Sequence, residues 1–301
     1  MELSDKKFAV LIDADNISHR KIKDILDEIA NYGTPTIKRI YGDFTDPKFA
    51  AWKSVLLENS ITPIQQYAYT TGKNATDSAL IIDAMDILHK ESVNGFCIVS
   101  SDSDYTRLAS RIRESGREVL GFGEKKTPKP FIKSCDKFIY VEILGQPAPA
   151  PAPVSAPAQT AAAVPAAKAA TPKKTAKKHQ GRNAPETDMP EGAPAEPAAA
   201  EKKVAPAPDT AQPQPIIRPI DDDFKTLLAN TIEDAADDSG WAFLGIVGGV
   251  LTKKMPDFDP RNYGYKKLSL LVKSLSKIVE IEERPSENKE LKLVYVRNRI
   301  R

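Results

Sequence analysis

Phe8-Ala9-Val10-Leu11-Ile12-Asp13-Ala14-Asp15-Asn16 is the stretch of the sequence that decides the fold. Its five consecutive apolar residues are typical of a strand that is buried on both faces of a parallel sheet. The run ends at Asp13, whose carboxylate does not suit a core position. In an open α/β sheet, ligands bind at the carboxyl ends of the strands. The stretch therefore predicts a central strand that delivers Asp13 to a binding edge.

Strand-like and helix-like segments alternate from this stretch to residue 144. A first helix is predicted between the possible cap Ser18 and Gly33, because Ile22, Ile25 and Ile29 recur at helical spacing. Further strands are predicted at 36–41, 61–67, 96–99, 118–122 and 138–141, and further helices at 47–58, 76–90, 105–115 and 129–135. Repeated β–α units of this length predict an α/β fold with a doubly wound, mainly parallel sheet.

Two more acidic blocks lie near the ends of predicted elements. Asp77 begins the apolar stripe of the helix at 76–90, and Asp102 and Asp104 follow the strand at 96–99. Each carboxylate alone is more often a cap or a turn residue. Three blocks at one sheet edge would repel one another, and a hard divalent cation is the simplest way to keep them ionised together. The pattern therefore favours a metal-dependent phosphodiesterase.

Two acidic residues are weaker candidates for the same site. Asp83 lies about 120° around its helix from Asp77, and Asp15 stands beyond the strand end. The spacing Asp13-x-Asp15 also occurs as the nucleophile motif of haloacid-dehalogenase phosphatases, so a phosphatase remains a second alternative. Residues 71–74 lack the Ser/Thr and the upstream glycine of a P-loop.

Composition limits the class of protein. The 43 basic and 41 acidic residues nearly cancel, so the net charge predicts no partner, and two isolated cysteines fit a reducing compartment. The first residues lack the apolar core of a signal peptide, and no apolar stretch approaches the roughly 18 residues of a membrane span. We expect a cytoplasmic protein with no membrane partner.

The composition changes sharply after residue 145. Residues 146–219 are rich in Ala and Pro and contain no aromatic residue, which predicts a disordered linker. Apolar spacing returns in 220–301, where three helix-like segments precede two short strands. This order predicts a small winged-helix α+β domain.

The motifs resemble two known domain families. Leu11-Ile12-Asp13-Ala14-Asp15-Asn16, Lys73-Asn74-Ala75-Thr76-Asp77 with Asp83, and Ser101-Asp102-Ser103-Asp104-Tyr105 resemble the NYN domain, a PIN-like nuclease domain. The stretch Gly121–Pro128, followed by Cys135–Phe138, is similar to the LabA-like bacterial branch of that family. Residues 220–301 resemble the LOTUS (OST-HTH) domain, on the evidence of Gly240-Trp241-Ala242 and Tyr263-Gly264-Tyr265-Lys266-Lys267-Leu268.

The first resemblance covers about residues 8–144 of a predicted domain at 1–145, and it implies a metal-dependent endoribonuclease that acts on single-stranded RNA. It implies that Asp13, Asp77, Asp102 and Asp104 hold Mg²⁺ or Mn²⁺ and form the catalytic set. Substrate contacts would come from Asn16, Lys73, Ser101 and Ser103. The main alternative is a non-catalytic adaptor that binds RNA or a protein.

The second resemblance implies that the carboxyl-terminal module recruits RNA. Basic and aromatic side chains are interleaved there, as expected for phosphate contacts beside stacking surfaces. They are Lys253, Lys254, Tyr263, Tyr265, Lys266 and Lys267. A solvated helix face with Tyr265 in the core, or a surface for a protein partner, explains the same pattern.

Overall fold

A computed structural model describes residues 6–67, 75–145, 217–285 and 292–299. Of the predicted linker, the described residues include only the last three, 217–219. Lys73 also lies outside the described residues.

The amino-terminal domain is a six-stranded parallel sheet with helices on both faces, which confirms the predicted α/β class. The strands stand in the order β3-β2-β1-β4-β5-β6. Their bounds are β1 Lys7–Asp13, β2 Thr34–Gly42, β3 Thr62–Gln65, β4 Gly95–Val99, β5 Glu118–Gly123 and β6 Lys137–Tyr140. The helices are α1 Ile22–Ile29, α2 Trp52–Glu58, α3 Ala75–Lys90, α4 Thr106–Glu114 and α5 Lys129–Ser134.

Strand β1 is the centre of the sheet, and its side chains alternate between two cores. Phe8, Val10 and Ile12 pack in the core that includes α1 and α2. Ala9 and Leu11 pack in the core that includes α3, α4 and α5. Both faces of β1 are therefore apolar, which explains the unbroken apolar run in the sequence.

The strand order reverses at the boundary between β1 and β4. A crevice forms at such a switch point, outside the carboxyl ends of the strands. Asp13 is the last residue of β1, and Asp102 follows the end of β4 by three residues. The topology thus brings the first and third acidic blocks to one crevice.

Two predicted helices differ from the observed elements. The segment 47–58 is divided into a single 3₁₀ turn, Pro47–Phe49, and helix α2, because Asp46 caps the turn through the amide of Lys48. The segment 242–254 begins with the short strand β7, Ala242–Phe243, which pairs with a later strand before helix α7, Leu244–Lys254, starts.

The carboxyl-terminal domain has the order of helices and strands that a winged helix requires. Helix α6, Asp222–Asp234, precedes β7 and α7, and helix α8, Leu268–Ser274, is followed by β8, Val279–Pro285, and β9, Lys292–Asn298. The three strands form an antiparallel sheet in the order β7-β9-β8. This domain and the amino-terminal domain pack into one compact unit. No helix among the described residues has the length and apolar character needed to cross a membrane.

Candidate metal centre

Asp13 lies at the bottom of the crevice and is fully buried. Its Oδ1 accepts a hydrogen bond from the amide of Asp15 at 3.0 Å, and its Oδ2 accepts from Nδ2 of Asn16 at 2.6 Å and from the hydroxyl of Ser100 at 2.8 Å. Ser100 reaches Asp13 because Ile12 pairs with Val99, which places the next residues of β1 and β4 side by side. Both oxygens of Asp13 are thus fixed by protein donors.

Asp77, Asp102 and Asp104 form a carboxylate cluster above Asp13. Each contributes one oxygen, and the three oxygens lie within 4.8 Å of one another. Asp102 follows strand β4 and caps a short 3₁₀ turn, where its Oδ1 accepts a hydrogen bond from the amide of Asp104 at 2.9 Å. Asp77 stands in the first turn of α3. Burial decreases from Asp13 towards Asp104, which is exposed, so the cluster opens to solvent on the side of Asp104.

Tyr105 connects the cluster to Asp13. Its buried hydroxyl donates to Oδ1 of Asp77 at 2.7 Å and lies 3.5 Å from Oδ2 of Asp13. Burial and the charge of Asp13 raise the pKa of Tyr105 far above its usual value, so the hydroxyl keeps its proton and remains a donor.

The electrostatics of the site favour a cation. Burial raises the pKa of Asp13, hydrogen bonds from Asn16 and Ser100 oppose that rise, and the charge of Asp77 adds to it. Burial also raises the pKa of Asp77, against the hydrogen bond from Tyr105, and the charges of Asp102, Asp104 and Asp15 raise it further. Carboxylates that repel one another in this way are stabilised as anions by a divalent ion. The donor set is all oxygen, which suits Mg²⁺ or Mn²⁺ and does not suit a soft metal.

Comparison with known families gives the site its context. Residues 7–143 match the NYN domain, and residues 215–291 match the OST-HTH/LOTUS domain. The chain carries an NYN domain and a LOTUS domain. The NYN domain is a PIN-like nuclease domain and the LOTUS domain is of an RNA-binding type, so together they indicate an RNA-related nuclease.

Two solved structures are similar to parts of the chain. A solution NMR structure of an uncharacterised protein from Nitrosomonas europaea is 35% identical, with a TM-score of 0.26, and the match covers 34% of this chain and 94% of that one. A crystal structure of a protein of unknown function from Vibrio parahaemolyticus is 20% identical, with a TM-score of 0.39, and the match covers 46% of this chain and 96% of that one. No curated protein matches the chain in sequence.

The two weaker acidic candidates of the NYN domain lie outside the cluster. Asp83 accepts from the guanidinium of Arg39 and from the hydroxyl of Tyr41, so its carboxylate holds α3 against β2. Asp15 pairs with Lys48 at 2.9 Å on the crevice rim. Asp13 has no exposed oxygen, which does not suit the nucleophile of a haloacid-dehalogenase phosphatase.

The predicted substrate-binding residues of the NYN domain have different surroundings. The amide of Asn16 is directed to Asp13 rather than to solvent. Ser101 is buried, and its hydroxyl accepts from the amide of Glu124 at 2.9 Å. Ser103 is exposed beside the cluster. Lys73 lies outside the described residues, and its role remains a prediction.

In the LOTUS domain, the aromatic part of the prediction needs a correction. Tyr263 is 6% exposed, and its ring packs against Phe224 with centroids 4.7 Å apart, so it is a core residue and not a stacking surface. Tyr265 is half-buried against the same core. Lys254 pairs with Asp234 at 2.6 Å. Lys253, Lys266 and Lys267 are exposed.

The sequence reasoning missed Ser100 and Tyr105, which orient the carboxylates. A usable signal existed for Ser100, because it follows the apolar run of β4 just as Asp13 follows that of β1. Tyr105 gave no such signal, since its hydroxyl reaches Asp77 only through the fold.

Proposed function

We propose that the protein is a metal-dependent endoribonuclease that hydrolyses phosphodiester bonds of single-stranded RNA. The observation that carries this proposal is the cluster of Asp77, Asp102 and Asp104 above the buried Asp13, at the switch point of an NYN domain. The LOTUS domain would recruit the RNA.

Asp77, Asp102 and Asp104 would hold one or two Mg²⁺ or Mn²⁺ ions, with Asp13 contributing its charge from below. A bound ion of this kind supplies charge neutralisation at a phosphate and lowers the pKa of a coordinated water. The described crevice shows no histidine among the contacts of these carboxylates, so the acidic side chains themselves are the groups that would manage the proton.

The neighbouring residues would act by positioning. Asn16 and Ser100 hold the carboxylate plane of Asp13, and Tyr105 holds Oδ1 of Asp77. Fixed carboxylates lose little entropy when a cation and a phosphate bind, which is the advantage of a preorganised site. Ser103, exposed in the first turn beyond Asp102, would donate to a phosphate oxygen, and we assign Lys73 the same kind of contact.

The experiment compares the wild-type chain with Asp102→Asn on a fluorescein-labelled single-stranded RNA. Asn is as good a cap as Asp, so the turn after β4 is retained while one charge of the cluster is removed. We expect cleavage with Mn²⁺, none in excess chelator, and a loss of about a hundredfold in the variant, or about 2.7 kcal/mol in activation free energy. Asp86→Asn, on the exposed face of α3, is the control that should cleave normally.

Asp102 is a better test position than Asp13. Both oxygens of Asp13 accept hydrogen bonds, so an Asn there would direct its amide group at another donor and disturb the fold. Cleavage that survives in excess chelator, or in Asp102→Asn, would overturn the proposal. A folded wild-type chain that binds RNA and cleaves nothing would support the adaptor alternative instead.

A further inference from the structure

Specific contacts hold the LOTUS domain against the NYN domain. The amide of Phe138 in β6 donates to the carbonyl oxygen of Pro256 at 2.9 Å. Arg218 donates to the hydroxyl of Tyr140 and to Oδ2 of Asp257, both at 2.8 Å. The LOTUS domain therefore contacts β6, the edge strand of the NYN sheet.

A second contact lies at the end of α1. Arg261 of the LOTUS domain donates to both carboxylate oxygens of Glu28, at 3.0 Å and 2.8 Å, and Glu28 is 11% exposed. Paired, partly buried contacts of this geometry are the stronger class of ion pair. Together, these contacts hold the segment that follows helix α7 against the NYN domain.

Two clefts flank the contact at Pro256. The first has a volume of about 570 Å³, and the second has a volume of about 740 Å³. Lys133 and Pro256 line both, so the two clefts adjoin at these residues. The basic residues that line them are Lys125, Lys129, Lys133, Arg218 and Lys254 in the first, and Arg113, Arg117, Lys133, Lys137 and Lys253 in the second.

The acidic residues of the clefts are mostly engaged. Asp257 pairs with Arg218, Asp136 with Arg113 at 2.9 Å, and Glu118 with Lys6 at 2.7 Å. Asp221 caps helix α6, and Asp223 is exposed in the first turn of that helix. Among the described residues that line the two clefts, nine are basic and five are acidic, so positive charge is in excess.

Three exposed lysines in the clefts lack such a partner. Within the described part of the chain, Lys129, Lys133 and Lys253 form no ion pair, and all three are exposed. Lys129 and Lys133 stand four residues apart, on one face of α5. Lys253 is in the last turn of α7. We call these three residues the lysine strip.

The lysine strip begins at the edge of the sheet that carries the carboxylate cluster. The turn after β5 leads from that edge into α5, and its Glu124 amide is bonded to Ser101, the neighbour of Asp102. Arg117, in the second cleft, precedes β5 and so lies at the opposite edge. An anionic chain that leaves the carboxylate cluster along α5 would meet basic side chains from one edge of the sheet to the other.

We propose that the lysine strip is the binding path for the sugar–phosphate backbone of the RNA. The proposal rests on the proposed function, and it assigns the RNA to a cleft that both domains form. Lysine ammonium groups contact phosphates without reading bases, and the strip carries no exposed aromatic ring for stacking. The path is therefore selective for a flexible anionic strand and indifferent to its sequence.

The test measures RNA binding by the full chain in excess chelator, so that it does not depend on cleavage. The variant Lys129→Glu/Lys133→Glu is compared with Lys23→Glu/Lys53→Glu, which makes the same charge change on exposed residues of α1 and α2, on the other face of the sheet. A third variant, Lys266→Glu/Lys267→Glu, tests the surface that the sequence indicated. Fluorescence anisotropy of a labelled single-stranded RNA is recorded at several salt concentrations.

We expect the strip variant to lose about tenfold or more in affinity, and its salt slope to fall by about 1.4, since each lost phosphate contact removes about 0.7. The single change Lys253→Glu should act in the same direction, and Lys23→Glu/Lys53→Glu should bind as wild type. Unchanged affinity and slope in the strip variant would overturn the proposal, as would a loss found only in Lys266→Glu/Lys267→Glu.

Two further outcomes separate the alternatives. If polyglutamate of equal length displaces the RNA as well as RNA itself does, the strip is a site for an acidic protein segment and the proposal is overturned. If the strip variant loses binding but the wild-type chain cleaves no RNA, the binding path stands and the proposed nuclease function fails.

Discussion

Replacing Asp77 by Asn should stabilise the protein when no metal is present. At 4.8 Å, two unit charges repel by about 0.9 kcal/mol in bulk water and about 3.5 kcal/mol at an effective dielectric constant of 20. Asp77 is partly exposed, so we take a value near the lower limit, about 1–1.5 kcal/mol for each of its two partners, Asp102 and Asp104. The Asn oxygen still accepts from Tyr105, at a cost of about 1 kcal/mol for the lost charge. The net gain is about 1–2 kcal/mol.

The same variant should lose its response to metal. In wild type, Mn²⁺ at a hundred times its dissociation constant should raise the free energy of unfolding by about 2.7 kcal/mol, and Asp77→Asn should show less than half of that. Thermal unfolding in chelator and in Mn²⁺ measures both effects. The matched control is Asp86→Asn on the same helix, because the Asp86 side chain is 57% exposed and pairs with Lys90. It should change stability by no more than about 0.5 kcal/mol and keep the full Mn²⁺ response.

The pH dependence of stability independently gives the sign of the stability change in Asp77→Asn. The folded protein raises the pKa of Asp77 above 3.8, so between that value and the raised pKa the folded state holds a proton that the unfolded state has released. Stability without metal therefore falls as pH rises through this window. The advantage of Asp77→Asn should be complete at neutral pH and should shrink as pH falls through the raised pKa. A variant that unfolds at a lower temperature than wild type in chelator, or that keeps the full Mn²⁺ response, would refute this reasoning.

Two further predictions separate positioning from structural residues. Tyr105→Phe should raise the Mn²⁺ concentration needed for half-maximal cleavage, because Asp77 loses its hydrogen-bond donor and not its charge. Cleavage should slow by about tenfold without being abolished. An unchanged Mn²⁺ titration would count against the role of Tyr105. Asp83→Asn should lower the free energy of unfolding by about 1–3 kcal/mol, because Arg39 and Tyr41 lose an ionised partner, while the Mn²⁺-induced rise in melting temperature stays at its wild-type size; loss of that rise would return Asp83 to the metal site.

The sequence could predict the parts of the site that depend on strand ends. An apolar run that stops at Asp13 identifies a buried strand and its carboxyl end, and parallel sheets bring such ends together. Whether Asp13 faces solvent depends on the register between β1 and β4, which continuous apolar strands do not reveal. That register places Ser100 against Asp13 and makes Asp13 a buried anchor.

Aromatic residues were harder to place, because their environment comes from distant parts of the chain. Tyr263 lies among lysines in the sequence, yet its ring packs against Phe224 at the start of α6. Tyr105 begins a predicted helix and ends one of the motifs, yet its hydroxyl joins two acidic blocks. Short-range patterns cannot distinguish these cases, because both depend on contacts between residues far apart in sequence.

The gradient of burial across the carboxylates links the metal centre to the lysine strip. Asp13 is closed by its own hydrogen bonds, whereas Asp102 and Asp104 stand at the open side of the cluster. A phosphate would therefore approach from the side of Asp102 and Asp104, and Ser101, the neighbour of Asp102, is bonded to the turn that leads into α5. The anionic strand would leave the repulsive carboxylates along this turn, where Lys129 and Lys133 are exposed charges without an acidic partner among the described residues. A strand that ran in the opposite direction, over Asp15, would meet a lysine already paired at 2.9 Å with that aspartate. The lysine strip thus favours the exit along α5, and the LOTUS domain borders that exit.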